Sequence, residues 1–157
     1  MFNLAVRLFV LSSLFHVSTT TTSDSMSTRV EIVNPFPKNA KVTTAHKYKA
    51  MVTLSIENAD GTLTPSGWST RKEHKGDGRP FEFQPGVNLI QGWTEGCLQL
   101  REGERGLIHV PYTKGYGTKE QGSKGGAWYI PASSNLLFDI EILGKSGKNG
   151  PEAEAEL

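Results

Sequence analysis

Asn88–Leu100 reads NLIQGWTEGCLQL, and its apolar residues return every three or four positions: Leu89, Ile90, Trp93, Cys97 and Leu100. That is the period of a helix with one buried face, about three turns long. Asn88 stands where a cap is needed, with Gln91 three residues on, as in a capping box. Gly92 and Gly96 lie inside the helix, where each costs about 1 kcal/mol against alanine. A spacing of four puts both on one face, so they let the helix approach a sheet closely. Glu102-Gly103 ends the element.

The period changes to two on either side. Asn135–Leu143 (NLLFDIEIL) turns Leu136, Phe138, Ile140 and Ile142 one way and Asp139 and Glu141 the other, toward solvent. Lys47–Glu57 (KYKAMVTLSIE) alternates through Tyr48, Ala50, Val52, Leu54 and Ile56. Arg105–Val110 reads as a strand with His109 on its solvent face, and Pro80–Gln84 as a short one with Phe81 and Phe83 on one face. Arg29–Val33 is an edge strand, because Pro35 and Pro37 exclude a central one there. Asn58-Ala-Asp-Gly61 is a turn by composition. Thr62–Gly78 is polar and irregular, with Trp68 its only large apolar residue, and Thr113–Tyr129 is a long Gly/Lys-rich loop. One helix among about five strands predicts an α+β fold, an antiparallel sheet with the helix on its buried face.

The 157 residues fit one domain with tails. Residues 1–25 are read as a signal peptide or a disordered leader. The apolar run Leu8–Val17 has signal-core length, and about 20 apolar residues would be needed to span a bilayer. The secretory pathway, meaning the endoplasmic reticulum lumen or secretion, is the expected location. A cytoplasmic chain starting at Met26 is the alternative. The domain occupies 26–145. Residues 146–157 are an acidic tail without periodicity, and only its final Glu156-Leu157 resembles a retrieval signal.

Most reactive chemistries find no residues to carry them. A net charge of +1 gives nucleic acid no basic face. One cysteine, Cys97, makes neither an internal disulfide nor a zinc site, and on the helix it reads as a core thiol. The four histidines are scattered and no phosphate loop is present, so neither a metal nor a cofactor is expected. What remains is apolar: Trp68, Phe81, Leu89, Ile90, Trp93, Tyr116, Ile130 and Phe138. Taken by itself such a set is more often ordinary core than a binding site; its order and spacing along the chain shift the balance.

Leu89-Ile-Gln-Gly-Trp93, Glu95-Gly96 and Glu102-Gly-Glu104 resemble the helix region of FKBP-type peptidyl-prolyl cis-trans isomerases. Ile108-His-Val-Pro111 with Gly115-Tyr-Gly117, and Ile130-Pro131 with Asn135–Leu143, are similar to the family's next strand, its tyrosine-glycine turn and its closing strand. The resemblance runs from about Thr44 to Lys145 and is most specific from Gly86 onward. It implies a five- to six-stranded antiparallel sheet wrapped around one short helix. It also implies isomerisation of X-Pro bonds in client polypeptides.

The same resemblance implies a role for each residue of the set. Trp93 would be the pocket floor, and Leu89 and Ile90 a wall with a free backbone N–H. Phe81 and Phe138 would line the sides, Trp68 would replace the usual aromatic, and Ile130 would sit on the rim. Tyr116 would be the catalytic hydroxyl. Expected partners are proline-containing peptides, unfolded clients and macrolides such as rapamycin, bound by a monomer. Two positions depart from the family pattern: Ser69 stands at an aspartate position and Leu54 at a tyrosine position. These departures motivate an alternative, a low-activity binding module for proline-containing or macrolide ligands.

Overall fold

A computed structural model describes residues 26–147. In chain order its elements are β1 (Arg29–Asn34), β2 (Tyr48–Glu57), β3 (Leu63–Ser69), β4 (Phe81–Phe83), α1 (Gln91–Cys97), β5 (Arg105–Val110), β6 (Gln121–Gly122), β7 (Tyr129–Ile130) and β8 (Asn135–Lys145). Short 3-10 turns lie at Lys72–His74 and Tyr112–Lys114. The six-stranded sheet has the order β1-β5-β8-β2-β3, with β4 beside the start of β2. Every pairing is antiparallel. The leader expected over 1–25, and residues 148–157 of the expected tail, lie outside the described residues. Just past the end of β8, Ser146 N–H donates to Lys47 O at 2.8 Å.

The period-two strands form the centre. Leu54 stands opposite Phe138, Val52 opposite Ile140 and Ala50 opposite Ile142, so the apolar stripes of β2 and β8 meet on one face. All six side chains are buried, and Ile108 and Val110 of β5 extend the same surface. Against it lies α1, which is shorter than the apolar period suggests. Asn88 does not cap it: its φ of 53° is left-handed, a conformation asparagine tolerates. The cap position falls to Ile90, without a side-chain hydrogen bond, and Gln91 instead bonds Glu95 at 2.7 Å. After Cys97 the chain tightens into turns, which still deliver Leu100 to the core.

The two helix glycines are explained by distance. A Cβ on Gly92 would stand 2.2 Å from Val110 Cγ1, and one on Gly96 would stand 2.3 Å from Ile108 Cγ2. Both contacts are far below van der Waals separation, so the α1 backbone rests directly on the Val110 and Ile108 side chains of β5, with no helix side chain between.

Four expectations are corrected. Thr62–Gly78 is not irregular throughout, since it contains β3. That strand carries a bulge in which Ser66, Gly67 and Trp68 stand opposite the single residue Leu54, and Ser66 Oγ donates to Leu54 O at 2.6 Å. The loop Thr113–Tyr129 is folded on itself by the β6–β7 hairpin. His109 is not on a solvated face: its ring is packed between Glu57, at 3.0 Å, and Glu31, at 3.4 Å. Asp139 and Glu141 are not free surface charges. Asp139 takes two hydrogen bonds from Arg105, at 2.8 and 2.6 Å, and the buried Arg71 guanidinium reaches Glu141 at 3.2 Å.

Alanine at position 96 sets helix propensity against packing. The propensity gain is about 1 kcal/mol, and the overpacking cost is about 1–3 kcal/mol. With Ile108 in the way, Gly96→Ala is expected to lower unfolding stability in a urea titration. A stabilised variant would contradict the close helix–sheet contact.

Candidate functional site

A cavity of about 230 Å³ opens beside α1. Its base is Trp93, which follows Gly92 on α1: the glycine faces β5, and the indole packs among the aromatic rings of β4 and β8. The Trp93 ring meets Phe138 at 4.8 Å, Phe83 at 5.6 Å and Phe81 at 5.7 Å, all edge to face. Such geometry is the favoured aromatic arrangement and fixes the rings against one another. The indole Nε1–H of Trp93 is buried and has no acceptor among the described residues.

The remaining set surrounds this base. Phe81 from β4 and Phe138 from β8 stand at the sides, and Trp68 packs on Phe81 at 5.8 Å. Leu89 and Ile90 form the wall where the helix begins. The first helical bond runs from Thr94 N–H to Ile90 O, at 3.3 Å, so the earlier amides, Ile90's among them, are not used by the helix. Tyr116 follows the Tyr112–Lys114 turn, which is closed by Gly117 N–H on Tyr112 O at 2.9 Å. Its hydroxyl has no partner among the described residues, and burial raises the phenol above its ordinary pKa. The group therefore stays protonated at neutral pH and is an available donor.

All eight sequence-identified residues line this one cavity. Ile130 differs in detail, since it is 1% exposed and forms part of the wall instead of the rim. Leu54, Asn88 and Trp128 also line the cavity and were not in the set. Leu54 was legible from its inward position on β2, and Asn88 was read as a cap. Trp128 had only one signal, a tryptophan in an otherwise Gly/Lys-rich loop. Ser69 is absent from the lining. Its hydroxyl sits in the β2–β3 seam, donating to Val52 O at 3.1 Å and accepting from Arg71 N–H at 3.0 Å.

No charged side chain lines the cavity. Among the described residues no group of three or more His, Cys, Asp or Glu side chains is placed to hold a metal. Cys97 is fully buried behind the helix, and burial pushes its thiol far up, away from the reactive thiolate. What the site offers is an uncharged aromatic box with neutral donors beside it.

A family model described as FKBP-type peptidyl-prolyl cis-trans isomerase matches residues 38–143. The chain belongs to that family. It is 41% identical over 68 residues to FK506-binding protein 2 of Dictyostelium discoideum, covering 43% of this chain and 47% of that one. It thus spans about half the length of that relative. With FK506-binding protein 2 of Aspergillus fumigatus it shares 29% identity over 150 residues, 94% of this chain and 99% of the other. Among solved structures, that of AtFKBP13 superposes with a TM-score of 0.59 at 26% identity, covering 76% of this chain and 93% of that one.

The position of Ser69 makes a prediction. A carboxylate there would face the Val52 carbonyl in the sheet seam and not the cavity. Ser69→Asp is expected to lower stability by about 1–2 kcal/mol and to leave X-Pro turnover no faster. A rise in turnover would show that residue 69 reaches the cavity.

Proposed function

We propose that this chain catalyses cis–trans isomerisation of X-Pro bonds in proline-containing peptides and unfolded client proteins, with Trp93 beneath the proline ring. The observation that carries the reading is the aromatic box itself, closed by Trp93, Phe81 and Phe138 and free of charge.

An X-Pro bond rotates slowly because amide resonance sets a barrier of about 18–20 kcal/mol. No bond is made or broken, so the reaction needs no nucleophile. The site has only to favour the twisted amide over the planar one. Twisting ends the resonance and makes the carbonyl less polar, which an apolar cavity tolerates better than water does. Holding the ring against Trp93 leaves the preceding carbonyl free to turn. In this reading the Ile90 N–H and the Tyr116 hydroxyl fix neighbouring carbonyls. A proline-mimicking ring within a macrolide such as rapamycin fits the same box.

The apolar run Leu8–Val17 supports a leader that directs the chain into the secretory pathway. Mass spectrometry of the mature protein tests this. An N-terminus within residues 18–25 supports a cleaved leader, and an intact Met1 or a chain initiated at Met26 sinks it.

The isomerase reading is tested with an X-Pro peptide assay. Folded protein is expected to raise the isomerisation rate above the uncatalysed one. Tyr116→Phe is expected to lower kcat/KM roughly three- to tenfold, the worth of one hydrogen bond. Between about pH 6 and 9 the rate should be flat, because Tyr116 is the only titratable lining group and its pKa is raised above the ordinary tyrosine value. No acceleration by folded protein would overturn the reading.

A further inference from the structure

The Trp68, Phe81, Trp93 and Phe138 rings of the cavity are paired with one another, whereas Trp128, like Tyr116, has no ring partner among the described residues. Trp128 is 37% exposed. An exposed indole on a glycine-rich loop is ordinarily mobile, but here Gly122 packs against the ring and Gly67 against the backbone that carries it. A Cβ on Gly122 would stand 2.9 Å from Cε3 and 3.0 Å from Cδ2 of the Trp128 ring. One on Gly67 would stand 2.3 Å from Ala127 O and 3.1 Å from Trp128 Cα.

Both glycines have positive φ, +74° and +86°, so the backbone beneath the ring suits no other residue well. Behind the ring, the β6–β7 hairpin pairs Gly122 with Tyr129, and Ser123 N–H donates to Trp128 O at 3.3 Å. The bulge of β3 and the hairpin thus clamp one tryptophan at the edge of the proline box with part of its surface unfilled.

We propose that Trp128 is a specificity-determining residue, which offers its open indole to an aromatic side chain flanking the client's proline. The inference rests on the isomerase reading. Aromatic pairs gain from ring geometry beyond the area they bury, and a pre-positioned ring loses little entropy on contact. Aliphatic neighbours share only the area term. Charged neighbours gain no partner from the uncharged lining.

The test compares kcat/KM for matched peptides carrying Phe or Leu immediately before the proline, and again immediately after it. At one of these flanks the native protein is expected to favour Phe over Leu roughly three- to tenfold. Trp128→Ala should bring that ratio close to one, and Trp128→Phe should keep most of it. A merely structural role for the loop would lower both rates together and leave the ratio intact, which overturns the proposal. Equal rates for Phe and Leu peptides at both flanks overturn it while leaving the isomerase reading in place. Acceleration of neither peptide overturns both.

Discussion

The absence of side chains at positions 92 and 96 is the constraint on which the rest of the structure depends. With Val110 and Ile108 at the distances found here, α1 lies directly on β5. That contact fixes the rotation of a helix only seven residues long, too short to be stable alone. Rotation then decides what the helix offers. Gly92 and Gly96 take the sheet, Cys97 fills the core behind them, and Trp93 turns to the cavity as its floor. The same short helix leaves its first amides unused beside Leu89 and Ile90. One packing contact therefore sets the floor, the wall and a donor of the site together.

The opposite face of the sheet is built on charge. Arg71, buried, reaches Asp139 at 3.5 Å and Glu141 at 3.2 Å, while Arg105 grips Asp139 from the neighbouring strand. Ion pairs of this depth are a poor source of stability by themselves, but removing one partner leaves a buried charge uncompensated. They tie the segment after β3 to β8. That segment leads from β3 to β4, which pairs with the start of β2 and brings Phe81 to the cavity. Charge on the outer face and aromatic packing on the inner face thus meet in the same chain segment.

The long-period features were readable from the chain. Alternation in Lys47–Glu57 and Asn135–Leu143 marked the central strands, and the threefold-to-fourfold spacing from Leu89 to Leu100 marked the helix. Of the eight apolar residues that converge on one cavity, Leu89, Ile90, Trp93 and Phe138 lie on or beside those elements and Phe81 on the short strand β4, whereas Trp68, Tyr116 and Ile130 lie outside them. What escaped depended on partners distant in sequence. β3 was hidden because Pro65 and Gly67 break its pattern and a bulge breaks its register. The setting of His109 depends on carboxylates from β1 and β2, and Arg71 finds its acids about 70 positions away. Trp128 was invisible because two-residue strands leave no periodicity to read.

The account stands on Trp93 being the surface that receives the proline ring. Intermolecular NOE measurements on the protein with an X-Pro peptide test it most directly. The account predicts contacts from the proline ring protons to the Trp93 indole and the Phe138 ring, with the proline resonances moved upfield by the indole's ring current. Saturable peptide binding with proline contacts elsewhere on the surface, and none to Trp93, would contradict it.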